Sequence, residues 1–153
     1  FQHPCEILPK LDLKLILVGP KPQNEELDIG LSDWFQSHPN DLIYLNDLSE
    51  NSLGELYKHA KSLIFPSHIE GFGWPPLEAA VHGCPVITTR TGAISDLLGD
   101  YAHYIDAYAQ ASINQAVILA LQFPNQRNVP ISLPSHDDCR ERYYDLYDQV
   151  IKN

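Results

Sequence analysis

Short apolar runs, each followed by a stretch with apolar residues at helical spacing, recur along this chain. The runs are 13–18 (LKLILV), Leu42–Leu45 (LIYL), Leu63–Phe65 (LIF), 85–88 (PVIT) and an edge-like 101–105. Each is too short for a helix and is bounded by Gly, Pro or Asn, so each reads as a buried strand. Between them, Leu31, Trp34, Phe35 and His38 mark one helical face, Leu53, Leu56, Tyr57 and Ala60 a second, and Ile113, Ala116, Val117, Ala120 and Leu121 a third. Ser49 offers an N-cap to the second helix, Gly99 a C-cap to one or two turns over 93–98, and Pro124 a stop to the third. Strand and helix alternating at intervals of about 20 to 25 residues restrict the chain to the α/β class, as a Rossmann-like, doubly wound parallel sheet in a single domain.

Composition narrows the partners. Net charge is −10 with no cluster of Lys or Arg, which argues against nucleic acid or anionic lipid as a direct partner. No apolar run approaches the roughly 18 residues of a membrane span. Cys5, Cys84 and Cys139 are odd in number and far apart, forming neither a disulfide framework nor a zinc pattern, which points to a reducing, cytoplasmic setting. Seven scattered His without a paired spacing give no metal site. The chain has no Met at all and opens as if at the end of a helix, so it is expected to be a piece of a longer protein. Residues 1–123 are expected to form the sheet domain and the proline-containing 124–134 a connector. Residues 135–153 are expected to form a last helix with Ser135, Asp137 and Asp138 at its start and Tyr143, Leu146, Tyr147 and Val150 on its apolar face.

Function is concentrated in 67–85, SHIEGFGWPPLEAAVHGCP, which lies between the third and fourth strands, where open α/β sheets bind ligands. Gly71 and Gly73 remove side chains where the backbone must approach a phosphate, and Pro75 and Pro76 set a helix start near Pro76 whose dipole favours an anion. Glu70 precedes the glycines and Glu78 is expected in the first helical turn. Each carboxylate can accept hydrogen bonds from two neighbouring hydroxyls of a sugar ring. Phe72 and Trp74 are expected to pack, Cys84 to be a small buried group before a strand, and His68 and His82 to flank the site.

The stretch EGFGWPPLEAAVHGCPVI resembles the donor-binding signature of retaining glycosyltransferases of the GT-B fold, the glycosyl transferase group 1 family. The likeness runs over about residues 11 to 122 and includes LILVG, IYLNDLSENSLGELYKHAKSLIFPS and TGAISDLLGDYA. It implies the C-terminal half of a GT-B fold and transfer of a hexosyl group from a UDP- or GDP-sugar with retained configuration, without a metal or other cofactor. On matching positions it implies Glu70 as the catalytic-site carboxylate on the transferred sugar. Glu70, Gly71, Phe72, Gly73 and Trp74 would hold sugar and diphosphate, Glu78 the ribose, and the main chain of Leu45, Asn46 and Asp47 the base. Arg90 is a candidate for offsetting phosphate charge.

Two positions depart from the pattern: Asn46 stands for the usual Gly, tolerable because Asn visits left-handed backbone, and Asp96 for the usual Glu. In the family a basic pair and an acceptor-binding domain precede this point, so the chain alone is expected to be inactive, with any peripheral membrane association residing in that other domain. The alternatives are a nucleotide-sugar-binding module without transferase activity and a GT-B-fold sugar epimerase. A dinucleotide enzyme is disfavoured because Gly19, Pro20 and Lys21 stand where GxGxxG would follow the first strand.

Overall fold

A computed structural model describes residues 13–20 and 39–122, together with 137, 140–141, 144–145 and 147–148. Among these residues the elements run in the order β1 (Leu15–Val18), β2 (Leu42–Leu45), α1 (Glu50–His59), β3 (Leu63–Phe65), α2 (Trp74–Val81), β4 (Val86–Thr88), α3 (Ile94–Leu98), β5 (Ala102–Tyr104) and α4 (Gln110–Gln122). A 3-10 turn, Gly99–Tyr101, links α3 to β5. The helix expected around Leu31 to His38 and the 124–134 connector lie outside the described residues, as do Tyr143, Leu146 and Val150 of the last helical face. Of that face Tyr147 is described, helical and exposed.

All strand pairing is parallel, as the α/β reading requires. β1 pairs with β2 (Leu15 opposite Leu42, Val18 opposite Leu45), and β4 lies between β3 and β5 (Val86 opposite Leu63 and Ala102). The single expected sheet is therefore seen as two ladders, β1-β2 and β3-β4-β5. The sequence reading makes β1 a buried strand, yet its burial alternates: Ile16 and Val18, on one face, are 36% and 49% exposed, while Leu15 and Leu17 on the other are half-buried.

β4 is the packing axis of the larger ladder, all three of its residues being buried. Its side chains alternate between two cores, as strand geometry dictates. Val86 joins Tyr57 of α1, Leu77, Ala79 and Ala80 of α2 and Ile94 and Leu98 of α3. Ile87 joins Ile105 and the Ile113, Ala116, Val117 and Ala120 stripe of α4 on the opposite face. Helices thus cover both faces of this ladder, the doubly wound arrangement. Cys84 is fully buried at the entry to β4, and the Tyr101 hydroxyl donates to its carbonyl at 3.0 Å.

Local chemistry sets the element ends. Ser49 Oγ accepts from the Ser52 amide at 3.2 Å and caps α1, as expected. Gly99, at φ 48°, closes α3. At the exit of β2 the left-handed residue is Asp47 (φ 53°) rather than Asn46, whose side-chain amide instead donates to the Asp47 carboxylate at 3.0 Å. Asx side chains stabilise such single left-handed residues through local hydrogen bonds, so either position of the pair could take the turn.

The loops after β3 and β4 are fastened together. Thr89 Oγ1 donates to the Ser67 carbonyl and lies 3.2 Å from Thr91 Oγ1. Gly92, at φ 54°, lies so close under the 70–71 backbone that a Cβ there would collide with the Glu70 carbonyl oxygen and sit 2.8 Å from that of Gly71. Gly73, at φ 83°, leaves equally little room, its absent Cβ falling 2.6 Å from Ile94 Cδ1.

Two measurements test this packing. Gly92→Ala adds left-handed strain to a backbone collision and is expected to lower stability by about 1–3 kcal/mol in urea unfolding; an unchanged midpoint would refute the close approach. Burial pushes the Cys84 thiol from 9.0 up to about 11. Burial, then the Glu78 charge, pushes the Tyr57 phenol from 10.0 up to about 12, and burial does the same for Tyr101. Raised folded-state values mean that the unfolded chain loses these protons first, so stability is fully present below about pH 9 and falls as pH rises from there to about 12. Thermal midpoints flat through that window would contradict it.

Candidate functional site

The site forms at the carboxyl ends of β3 and β4. β3 ends at Phe65, and the chain crosses 66–73 before entering α2. Ser67 Oγ donates to the Ile69 carbonyl at 3.2 Å, bending the loop toward Glu70, which is half-buried. Gly71 and Phe72 are exposed and Gly73 is buried.

The carbonyls of Glu70 and Gly71 are turned onto Gly92. In a trans peptide the N–H points opposite to the C=O, so the amides of Gly71 and Phe72 are aimed away from Gly92. No protein acceptor among the described residues engages the amides of Gly71, Phe72, Gly73 or Trp74. Four successive backbone donors are left available for an external acceptor.

α2 begins two residues before the expected Pro76. Left-handed Gly73 is its N-cap and Trp74 its first residue, which puts Glu78 fifth in the helix, in the second turn rather than the first. The reason is that Pro75 and Pro76, fixed near helical φ, fit anywhere in the first turn, where their lack of a donor costs nothing. The same prolines remove two of the free amides that a helix start usually offers, and the Leu77 amide already reaches the Gly73 carbonyl at 3.5 Å. Of the first four helical positions, Trp74 alone keeps an unengaged donor.

Phe72 and Trp74 pack as expected, but on each other at the surface. They are 39% and 58% exposed, with ring centroids 4.6 Å apart. Cys84 is buried, as expected. His68 stacks on Tyr108 at 4.4 Å, and His82 Nδ1 lies 2.8 Å from the Glu78 carbonyl. Arg90 is exposed, but its guanidinium sits 3.9 Å over the Tyr104 ring, engaged on the β5 side.

Glu70, Gly71, Phe72, Gly73, Trp74, Glu78 and Arg90 all lie on the β3-β4-β5 ladder and its connections. Leu45, Asn46 and Asp47 end β2 in the other ladder, where the Leu45 carbonyl accepts from the Gly19 amide at 2.9 Å. Among the described residues no three His, Cys, Asp or Glu side chains are grouped to hold a metal ion, and no helix is long and apolar enough to cross a membrane.

Sequence reasoning missed three contributors. Tyr57 looks like one more apolar residue on a helical face, yet its ring lies tilted beside that of His82, centroids 5.9 Å apart. Thr89 has no motif of its own, although it ties the two loops. Tyr108 lies in the β5–α4 loop, where periodicity is silent.

Residues 5–132 match the family described as glycosyl transferases group 1. The serotype-specific mannosyltransferase WbdA of Escherichia coli is 33% identical over 109 residues, which cover 69% of this chain and 13% of that protein. The O-antigen chain mannosyltransferase RfbU of Salmonella typhimurium is 34% identical over 113 residues, 73% of this chain and 30% of that protein. In the crystal structure of AviGT4, a glycosyltransferase involved in avilamycin A biosynthesis, the same fold recurs with a TM-score of 0.66 at 16% identity, covering 97% of this chain and 47% of that one. The chain thus spans less than half the length of each of these proteins. With a family match across most of its length, and the α/β fold to go with it, the chain belongs to the group 1 glycosyl transferases.

Proposed function

We propose that this chain is the donor-binding half of a retaining hexosyltransferase that uses a UDP- or GDP-linked sugar. The observation that carries the reading is the run of unengaged amides from Gly71 to Trp74, set between two half-buried carboxylates at the carboxyl end of a parallel sheet. Amides can approach a diphosphate without the entropy loss of ordering long side chains, while a carboxylate on either side accepts from the hydroxyls of a sugar ring. Glu70 takes the transferred sugar and is the catalytic-site carboxylate. Gly71, Phe72, Gly73 and Trp74 bind the diphosphate through their main chain. Glu78 takes the ribose, and the main chain of Leu45, Asn46 and Asp47 takes the base.

The leaving diphosphate needs its charge offset in the transition state, and amides with a helix dipole leave part of that to a cation. Arg90 is the local candidate, and a basic clamp with the acceptor site belongs to a further domain of the whole enzyme. The chain alone therefore binds donor without turning it over. The mannosyltransferase names of both relatives favour a hexose donor.

Calorimetric titration separates the two carboxylates. Glu78→Ala is expected to weaken UDP or GDP and the matching nucleotide sugar alike, by roughly 10- to 100-fold, the scale of a lost charge-assisted hydrogen bond. Glu70→Ala is expected to weaken only the sugar-bearing donor. If both variants bind both ligands like the unaltered chain, the site assignment is wrong.

A further inference from the structure

The loop that carries the unengaged amides also carries large apolar side chains turned to solvent. Ile69, Phe72 and Trp74 are 89%, 39% and 58% exposed. Phe72 and Trp74 flank left-handed Gly73, and their rings lean together with centroids 4.6 Å apart and planes tilted by 46°. On its inner side Gly73 is closed against Ile94 of α3, with no room for a Cβ. The backbone bearing the rings is therefore anchored from within, while the rings stand out from it. Single exposed apolar residues are ordinary, but two rings held together at the opening of a site form a surface that a ligand can use.

Charge and distance narrow what lies on them. Covalent geometry keeps each ring within about 6 Å of the amide nitrogen of its own residue, so a diphosphate on the Phe72 and Trp74 amides has the ring pair at its border. From 67 to 89 the chain has no Lys or Arg, so this segment offers no side-chain cation to an anionic headgroup. The surface suits a neutral group with an apolar side. A pyranose is such a group, with hydroxyls around its rim and C–H bonds on its faces, and those C–H bonds meet the negative face of an aromatic ring.

Stereochemistry decides which pyranose. The transferred sugar already has Glu70. In a transfer with retention, the bond from the anomeric carbon to the diphosphate breaks and its electron pair leaves with the phosphate. The acceptor oxygen ends bonded to the same face of that carbon, and its proton passes to the released diphosphate. The acceptor must therefore stand beside the departing diphosphate, within reach of the rings that border its cradle.

We propose that Phe72 and Trp74 form an acceptor platform, stacking on the C–H face of a neutral pyranose unit of the acceptor. The platform rests on the reading of the 71–74 amides as the diphosphate cradle of a retaining enzyme. It makes the donor half a contributor to acceptor choice. Two rings already packed on each other lose little freedom when a sugar settles on them.

The test is a proton–nitrogen NMR titration of the chain, saturated with UDP or GDP, using maltose and mannobiose as probes. The Trp74 indole N–H signal, identified by its loss in Trp74→Leu, is expected to shift with at least one disaccharide, with half-saturation at roughly 1–20 mM. Trp74→Leu keeps an apolar side chain without a ring. Followed on the backbone signals of 70–73, it is expected to weaken that disaccharide about tenfold, far more than it weakens the nucleotide, whereas Trp74→Phe is expected to stay within about threefold of the unaltered chain.

Equal disaccharide affinity in Trp74→Leu and Trp74→Phe would show that no ring stacks on the sugar and overturn the platform. An indole signal that neither disaccharide shifts overturns it too. In that case a shift with UDP-glucose or GDP-mannose assigns the rings to the donor sugar, and broadening by phosphatidylglycerol vesicles assigns them to a membrane contact. If neither UDP nor GDP binds, the diphosphate cradle fails and takes the platform with it; if a nucleotide binds and the disaccharides do not, the platform alone is lost.

Discussion

Two carbonyl oxygens resting on the bare Cα of Gly92 decide the character of the whole site. The oxygens of Glu70 and Gly71 approach to where any side chain at position 92 would collide, and the Thr89 hydroxyl draws the Ser67 carbonyl toward the same strand end. Once the carbonyls are turned inward, peptide planarity turns the amides of Gly71 and Phe72 the other way. The outward turn of those amides is therefore a consequence of how the following loop is packed beneath it. The glycine that matters most lies outside the glycine-rich motif, in a polar turn after the next strand.

The helix start contributes less hydrogen bonding than its position suggests. A typical α-helix presents several free amides to an anion, but here two of the first three residues are prolines and the fourth is already bonded to Gly73. What α2 retains is its dipole, about half a unit charge at the terminus, with the Trp74 donor. A phosphate bound as proposed would meet the 71–74 backbone more than the helix start, and could approach it closely because two of its four residues lack side chains. The rigid double proline fixes the direction of the helix at the expense of donors, and left-handed Gly73 lets the loop turn into it without a side-chain cap.

Much of this is legible in the sequence because hydrophobic period reports burial. The runs at Leu42–Leu45 and Leu63–Phe65 are strands with the expected bounds, and the Ile113 to Leu121 stripe faces one core. Period does not report which neighbour a side chain meets. Tyr57 therefore reads as filler although its ring meets that of His82, and Phe72 and Trp74 read as packing residues without any sign that they pack on each other at the surface. Turn chemistry names the Asn46-Asp47 pair without choosing between its members, since both side chains tolerate left-handed backbone. The start of α2 falls two residues earlier than the prolines suggest, because proline is compatible with each position of the first turn. β1 carries four apolar residues in a row, which reads as buried on both faces, but one face is the more exposed, and an apolar run does not say which face a packed layer covers.

Charge is the remaining constraint on how a diphosphate could sit here. The chain has 20 acidic against 10 basic residues, so an incoming dianion meets an adverse field that screening at physiological salt cuts off beyond about 8 Å. Inside that distance the balance is set by local groups, and Arg90 is the cation nearest in sequence to the turn under the loop. Its position over Tyr104 is held by a cation–π contact worth about 0.5–1 kcal/mol at an exposed site. A charge-assisted hydrogen bond to phosphate is worth about 1.5–3 kcal/mol. If Arg90 offsets phosphate charge as proposed, the phosphate is the stronger partner and the Tyr104 contact is weak enough to be given up on binding. Burial holds the Tyr104 phenol above its ordinary range, and the Arg90 charge over its ring pulls the other way. An aromatic contact of that strength holds the guanidinium without committing it, which is what the proposed role asks of Arg90 in a chain with twice as many acidic as basic residues.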